Sequence, residues 1–175
     1  IAAAQGHAGV VERLLERGAD PNKARRRDGA TPCYVAAQRG HGAVVDVLLE
    51  SGADSNTART INGETPCFIA AQEGHVAVVA ALLAAAADPN KALTTNGATP
   101  CYIAACRGHA AVVRLLLSHH ADPDQATTGE GVTPCYMAAG NGHLDVLKYL
   151  REKGCSWDEG TCVAAAVNNH LHVIK

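Results

Sequence analysis

An all-α solenoid of stacked helix-turn-helix units with projecting hairpin fingers is predicted by three motifs that share one period. Gly-His recurs at 6–7, 40–41, 74–75, 108–109 and 142–143. Thr-Pro-Cys recurs at 31–33, 65–67, 99–101 and 133–135, and Ala-Asp at 19–20, 53–54, 87–88 and 121–122. All three series step by 34 residues. Unrelated motifs held in phase over so many turns mean one structural unit, repeated. Composition agrees: 47% of residues are hydrophobic but only 3% are aromatic, so Ala, Val and Leu carry the core. Such side chains let short helices approach closely.

Each element of the unit has a chemical reason. Thr31 is a good helix N-cap, and Pro32 suits the first helical position, where no N–H is needed. A short helix is expected from Cys33 to Gln38. Gly40 ends it, where a left-handed residue is wanted. A second helix is expected from about Gly42 to Ser51, with Val44, Val45, Leu48 and Leu49 on one apolar stripe. Gly52 closes it. Ala86 and His120 occupy that closing column in later repeats, each at a cost of up to ~1 kcal/mol relative to Gly. The segment from Asp54 to Glu64 has no helical pattern and contains Asn62-Gly63, with Asp28-Gly29, Asn96-Gly97 and Glu130-Gly131 at the equivalent places. These are tight-turn signals, so each repeat projects a finger. Helices shorter than ~12–15 residues are marginal alone, so stability must come from stacking.

The run Thr-Pro-Cys-Tyr-Val-Ala-Ala-Gln-Arg-Gly-His at 31–41, followed by Val-Val-x-Val-Leu-Leu at 44–49 and Gly-Ala-Asp at 52–54, resembles the ankyrin repeat. The resemblance covers the whole chain. It divides residues 1–175 into a partial repeat 1–27, repeats 28–61, 62–95, 96–129 and 130–156, and a partial repeat 157–175. Three departures stand out. Cys-Tyr or Cys-Phe replaces the family's Leu-His, removing a histidine that helps tie neighbouring turns. The period is 34 rather than 33. In the last repeat, Cys162, Ala165-Ala166, His170 and Val173 fall 27 residues after Cys135, Ala138-Ala139, His143 and Val146, so the final finger is shortened. Asn169 takes the glycine column before His170, and Asn tolerates the left-handed turn. Trp157, in that short finger, is expected to plug the place of missing finger contacts.

The resemblance implies a non-catalytic module that binds another protein through its finger tips and concave inner-helix face. The alternative is a targeting array within a larger enzyme or channel chain. The residues expected at the contact are those that vary between repeats while fixed columns such as Val10, Val44, Val78, Val112 and Val146 do not. In the fingers they are Arg25, Arg26, Arg27, Asp28, Arg59, Ile61, Glu64, Leu93 and Thr95. At the inner-helix ends they are Gln38, Arg39, Gln72, Glu73, Arg107 and Asn141. Arg25-Arg26-Arg27 suits an acidic partner, because guanidinium forks match carboxylates.

Other chemistry has weaker support. The Gly-His histidines recur evenly along an axis, which fits a structural turn and not the convergence that catalysis needs. Cys106 with His109 lacks an orienting third group, and His119-His120 lacks further metal ligands. No catalytic residue, metal or cofactor is expected. A net charge of −2 does not suit a nucleic-acid binder. The longest apolar run, Val76 to Ala87, is below the ~18 residues needed to span a bilayer. The chain opens on Ile1 without an initiator Met or basic leader and reads as part of a longer protein, with core exposed at its ends. The seven cysteines are an odd number. Those of the 34-residue column should lie about 10 Å apart between stacked repeats, too far for disulfides, which need about 7 Å. They read as buried small hydrophobes in a reducing, cytoplasmic setting. The chain itself is expected to be a monomer.

Overall fold

The computed structural model describes residues 1–170. Five outer helices are α1 (Ala8–Glu16), α3 (Gly42–Glu50), α5 (Val76–Ala84), α7 (Ala110–Ser118) and α9 (Leu144–Glu152). Five inner helices are α2 (Pro32–Arg39), α4 (Pro66–Glu73), α6 (Pro100–Arg107), α8 (Pro134–Gly140) and α10 (Glu159–Val167). A 3-10 turn at Ala2–Gln5 takes the first inner position. Inner helices pack on inner, outer on outer, and each inner helix from α2 to α8 on the outer helix that follows it. No β-strand forms among the described residues. The second helix of the last repeat, with Val173, was expected in a segment outside the described residues.

The caps form as their residues dictate. The Thr31, Thr65, Thr99 and Thr133 hydroxyls accept the N–H groups of Tyr34, Phe68, Tyr102 and Tyr136 at 3.1–3.2 Å. Asp158 does the same for Thr161 at 2.8 Å and starts α10. Ala86, His120 and Asn169 all take positive φ, at 60°, 65° and 62°. Val44, Val45 and Leu48 are buried with their counterparts in later repeats, whereas Leu49 is only half-buried. Val10 corrects the expectation that its column is packing throughout: it is 52% exposed, because no described repeat precedes it.

Three sets of contacts join each repeat to the next. First, the imidazole of one Gly-His pair lies against the glycine of the pair before it. A Cβ on Gly6, Gly40, Gly74, Gly108 or Gly142 would come within 2.6–2.8 Å of His41, His75, His109, His143 or His170. The same rings bond backward: Nε2 of His41, His75, His109 and His143 reaches the carbonyls of Ala4, Gln38, Gln72 and Cys106 at 3.0–3.3 Å. His109 therefore faces the preceding repeat and forms no pair with Cys106. Second, an asparagine ladder runs beside the outer helices. Asn22, Asn56 and Asn90 accept from the N–H of Asp54, Asp88 and Asp122 at 2.7–2.8 Å. The same side chains donate to the carbonyls of Gly52, Ala86 and His120 at 3.0–3.1 Å. Asp124 continues the ladder onto Ser156. Third, adjacent fingers share one backbone bond each, from Thr60 to Asp28, Thr94 to Asn62 and Thr128 to Asn96, at 2.8–3.2 Å.

Cys33, Cys67, Cys101 and Cys135 are all buried. Burial pushes the first three thiols up to about 12. Cys135, however, is disulfide-bonded to Cys155, with Cα atoms 6.9 Å apart. This corrects the reading of the whole cysteine column as unpaired. The spacing between repeats governs only cysteines within the column, and Cys155 lies outside it, just after α9. Trp157 donates Nε1–H to Cys162 Sγ at 3.0 Å and lies under the Arg151 guanidinium, 4.6 Å from ring centroid to Cζ.

Two measurements follow from this frame. His109→Ala should lower stability by about 1–2 kcal/mol through its lost inter-repeat bond. Gly74→Ala should lower it by about 2 kcal/mol, combining left-handed strain with the ring contact. In urea unfolding, the double variant should lose less than the sum of the two, because removing the ring removes the clash. Strict additivity would show that the ring and glycine do not touch. In native-state alkylation, Cys106 and Cys162 should label well before Cys33, Cys67 and Cys101, read by mass spectrometry of digests.

Candidate functional site

The fingers and inner-helix ends were expected to form the contact surface, and the structure sorts their residues into two kinds. Residues 20–30 form finger 1, residues 54–64 finger 2, residues 88–98 finger 3 and residues 122–132 finger 4. Each is closed by a pair of backbone bonds, as from Arg59 N–H to the Glu64 carbonyl at 2.8 Å and from Gly63 N–H to the Arg59 carbonyl at 3.0 Å.

Beneath the tips, fingers 1 and 2 share a network of charges. Arg25 binds both carboxylate oxygens of Asp28. Arg59 reaches the same carboxylate at 3.3 Å and the Glu64 carboxylate at 2.7 Å. Tyr34, on α2, donates its hydroxyl to Glu64 at 2.7 Å, and the Arg59 guanidinium carbon lies 5.2 Å from the centroid of its ring. Arg59 Nε is the one buried side-chain polar atom without a partner among the described residues. Hydrogen bonding from Arg25 holds the Asp28 carboxyl down to about 2 from its ordinary 3.8, with the Ala30 N–H helping and burial opposing. Burial, and then the bond to the Glu64 carboxylate, raise the Tyr34 hydroxyl above its ordinary range.

This network corrects part of the expected surface. Asp28 is buried, and Arg59 and Glu64 have side chains only 21% and 14% exposed. Their charges are satisfied by each other, not offered to a partner. Arg25 remains exposed, but its guanidinium is held by Asp28. Leu93 is half-buried in the same column, and Thr127 is buried there with its hydroxyl accepting from Val132 N–H. Columns that vary between repeats thus include positions where each finger solves its own packing differently.

The remaining candidates are exposed. Arg26 and Arg27 sit at the tip of finger 1 with no partner among the described residues, Ile61 at the next tip is 61% exposed, and Thr95 holds the tip after that. At the inner-helix ends, Gln38, Arg39, Glu73, Arg107 and Asn141 are exposed and Gln72 is half-buried. Gln72 donates to Glu73 at 2.9 Å, and Asn141 to the Met137 carbonyl at 2.9 Å. The exposed charges at these ends alternate along the stack as Arg39, Glu73 and Arg107. No group of three or more His, Cys, Asp or Glu side chains gathers as a metal site among the described residues. No described helix is long and apolar enough to cross a membrane.

The asparagine ladder is one feature that sequence reasoning missed. Its signal was present as the column Asn22, Asn56, Asn90 and Asp124, three asparagines and then an aspartate on the 34-residue period.

A two-layer helical stack with a finger between successive helix pairs is the architecture of a repeat protein that presents an extended surface. A family model of ankyrin repeats, in three copies, matches residues 1–92 and 87–161. The chain belongs to the ankyrin repeat family, whose members are in general protein-interaction modules and typically non-catalytic. No curated protein matches the chain.

The Asp28 network has a measurable pH dependence. Its folded-state pKa lies below the ordinary value, so its contribution is complete above about 3.8 and is lost as pH falls toward about 2. Asp28→Asn should therefore be less stable than wild type near neutral pH. The two should converge in urea unfolding between about pH 4 and about pH 2. A constant gap across that range would place the stabilisation elsewhere.

Proposed function

We propose that this array is a non-catalytic binding module that engages a partner protein through the tips of fingers 1 to 3 and the adjoining inner-helix ends. One observation carries the reading. Arg26, Arg27 and Ile61 are exposed at neighbouring tips, while the charges directly beneath them are paired among themselves. Arg25, Asp28, Arg59 and Glu64 sum to no net charge, which leaves Arg26 and Arg27 as the unpaired cations at the tip of finger 1. An acidic side chain on the partner would meet that pair, with an apolar one against Ile61. The frame under the tips is held by bonds at every junction, so little ordering entropy is lost on binding. We further propose a cytoplasmic setting, on the five free thiols Cys33, Cys67, Cys101, Cys106 and Cys162; the Cys135–Cys155 bond is the one feature that opposes it. A monomeric chain suits this reading, since the stack presents its tips without a second copy.

The test compares two kinds of variant against a partner captured from cell extract. Replacing both Arg26 and Arg27 by Glu should weaken binding at least about tenfold in calorimetric titration, with an unchanged melting temperature. Arg59→Ala should lower the melting temperature through its buried network. If the double reversal leaves affinity intact, the finger 1 tip is not the contact.

A further inference from the structure

The aromatic residues near the start of the inner helices form one column of Tyr34, Phe68, Tyr102 and Tyr136. Tyr34 shows how such a ring is covered: finger 2 places Arg59 over its face and Glu64 on its hydroxyl. Tyr34 and Phe68 are each 2% exposed, and Tyr102 is half-buried. Tyr136 is 36% exposed. Its finger is missing. Residues 123–132 separate Asp122 from the helix cap Thr133, whereas Trp157 alone separates Ser156 from the cap Asp158.

The backbone is open at the same place. The carbonyls of Asp28, Asn62 and Asn96 each accept the N–H of a threonine in the next finger. The equivalent carbonyl, of Glu130, receives no bond among the described residues. The methyls of Thr60, Thr94 and Thr128 lie 2.7–2.9 Å from where a Cβ on Gly29, Gly63 or Gly97 would stand. Gly131, next in that column, has nothing within 4 Å. A ring, a carbonyl and a glycine are thus uncovered together on one ledge beside finger 4. The carbonyl and the glycine are seen with their occupants at three earlier fingers, and the ring, at Tyr34, with Arg59 and Glu64.

We infer that this ledge binds an extended tight turn of a partner protein that reproduces the chemistry of finger 2. The turn would bring an arginine to the Tyr136 ring and the N–H and methyl of the next residue, a threonine, to Glu130 and Gly131. A carboxylate five residues after the arginine would take the Tyr136 hydroxyl. Backbone pairing at an open edge supplies affinity, and the side chains beside it supply selection. A second copy of the chain cannot fill the ledge with one of its fingers. Each finger leads directly into an inner helix, and α10 already holds the place beside α8 that this helix would need. The occupant is a loop free of a following repeat. The ledge is separate from the tips of Arg26, Arg27 and Ile61, so either surface can fail without the other.

The probe is a synthetic peptide copying residues 54–65, titrated into the nitrogen-15-labelled chain. Saturable shifts of the Gly129, Gly131 and Tyr136 amides are expected by about 1 mM peptide. A peptide with alanine at the positions of Arg59 and Glu64 should bind about tenfold more weakly. Tyr136→Ala in the chain should weaken binding similarly and lower the melting temperature, since the residue is only 36% exposed; Tyr136→Phe, which keeps the ring, should weaken binding less with an unchanged melting temperature. The inference is overturned if these amides do not move or if only the finger tips and inner-helix ends respond. It is equally overturned by equal binding of the substituted peptide, or by self-association that covers Tyr136.

Discussion

Every inner helix from α2 to α6 ends on a glycine with φ near +75°, and the imidazole of the following repeat lies where a Cβ would be. The two requirements reinforce one another. The left-handed turn already favours glycine, and the absent side chain opens the space the ring occupies. The ring then reaches the carbonyl two residues before that glycine, so one of the free carbonyls at each helix end is taken by the neighbouring repeat. Because the histidine must sit one repeat ahead of its glycine, the contact fixes the phase of the stack. The final repeat shows how strictly. Its step is shortened by seven residues, yet His170 still lies against Gly142. The whole deletion falls in the finger.

The asparagine ladder and the finger bonds impose the same phase elsewhere. All three link only adjacent repeats, so the molecule is a chain of junctions and not one globular core. That architecture separates what may vary from what may not. A side chain at a tip touches no junction and can change freely. A side chain one column lower must satisfy its own finger, by an ion network in fingers 1 and 2 and by the Thr127 hydroxyl in finger 4. A binding surface can therefore be rewritten at Arg26, Arg27, Ile61 and Thr95 while the frame stays the same.

The repeat, both helices of the four complete units, their caps and the left-handed closures at Ala86, His120 and Asn169 were legible in the sequence. Each follows from local residue chemistry multiplied by a fixed period. The internal role of Asp28, Arg59 and Glu64 was not legible, because it depends on pairing across fingers. Arg59 in one finger answers Asp28 in the one before. A column comparison sees only that neither residue recurs. The Cys135–Cys155 bond escaped for a related reason: the period constrains distances within a column and says nothing about a partner outside it.

The shortened last finger is where period and packing part company, and the consequences differ on its two sides. Toward the outer helices the junction is restored. Asp124 holds Ser156, Trp157 closes on Arg151 and Cys162, and Asp158 caps α10. Trp157 packs against the core as a plug for the shortened finger, but at its base, and Tyr136 stays 36% exposed. The difference has a physical reason. An unsealed helix junction would expose Ala164, Ala165 and Cys155, which are buried, and core burial is the main source of stability in such a stack. An uncovered ring and carbonyl at the rim can be solvated at little cost. The deletion is thus repaired where stability requires it and left open where it does not. What remains is a finger-shaped vacancy bounded by groups whose partners elsewhere in the chain are known.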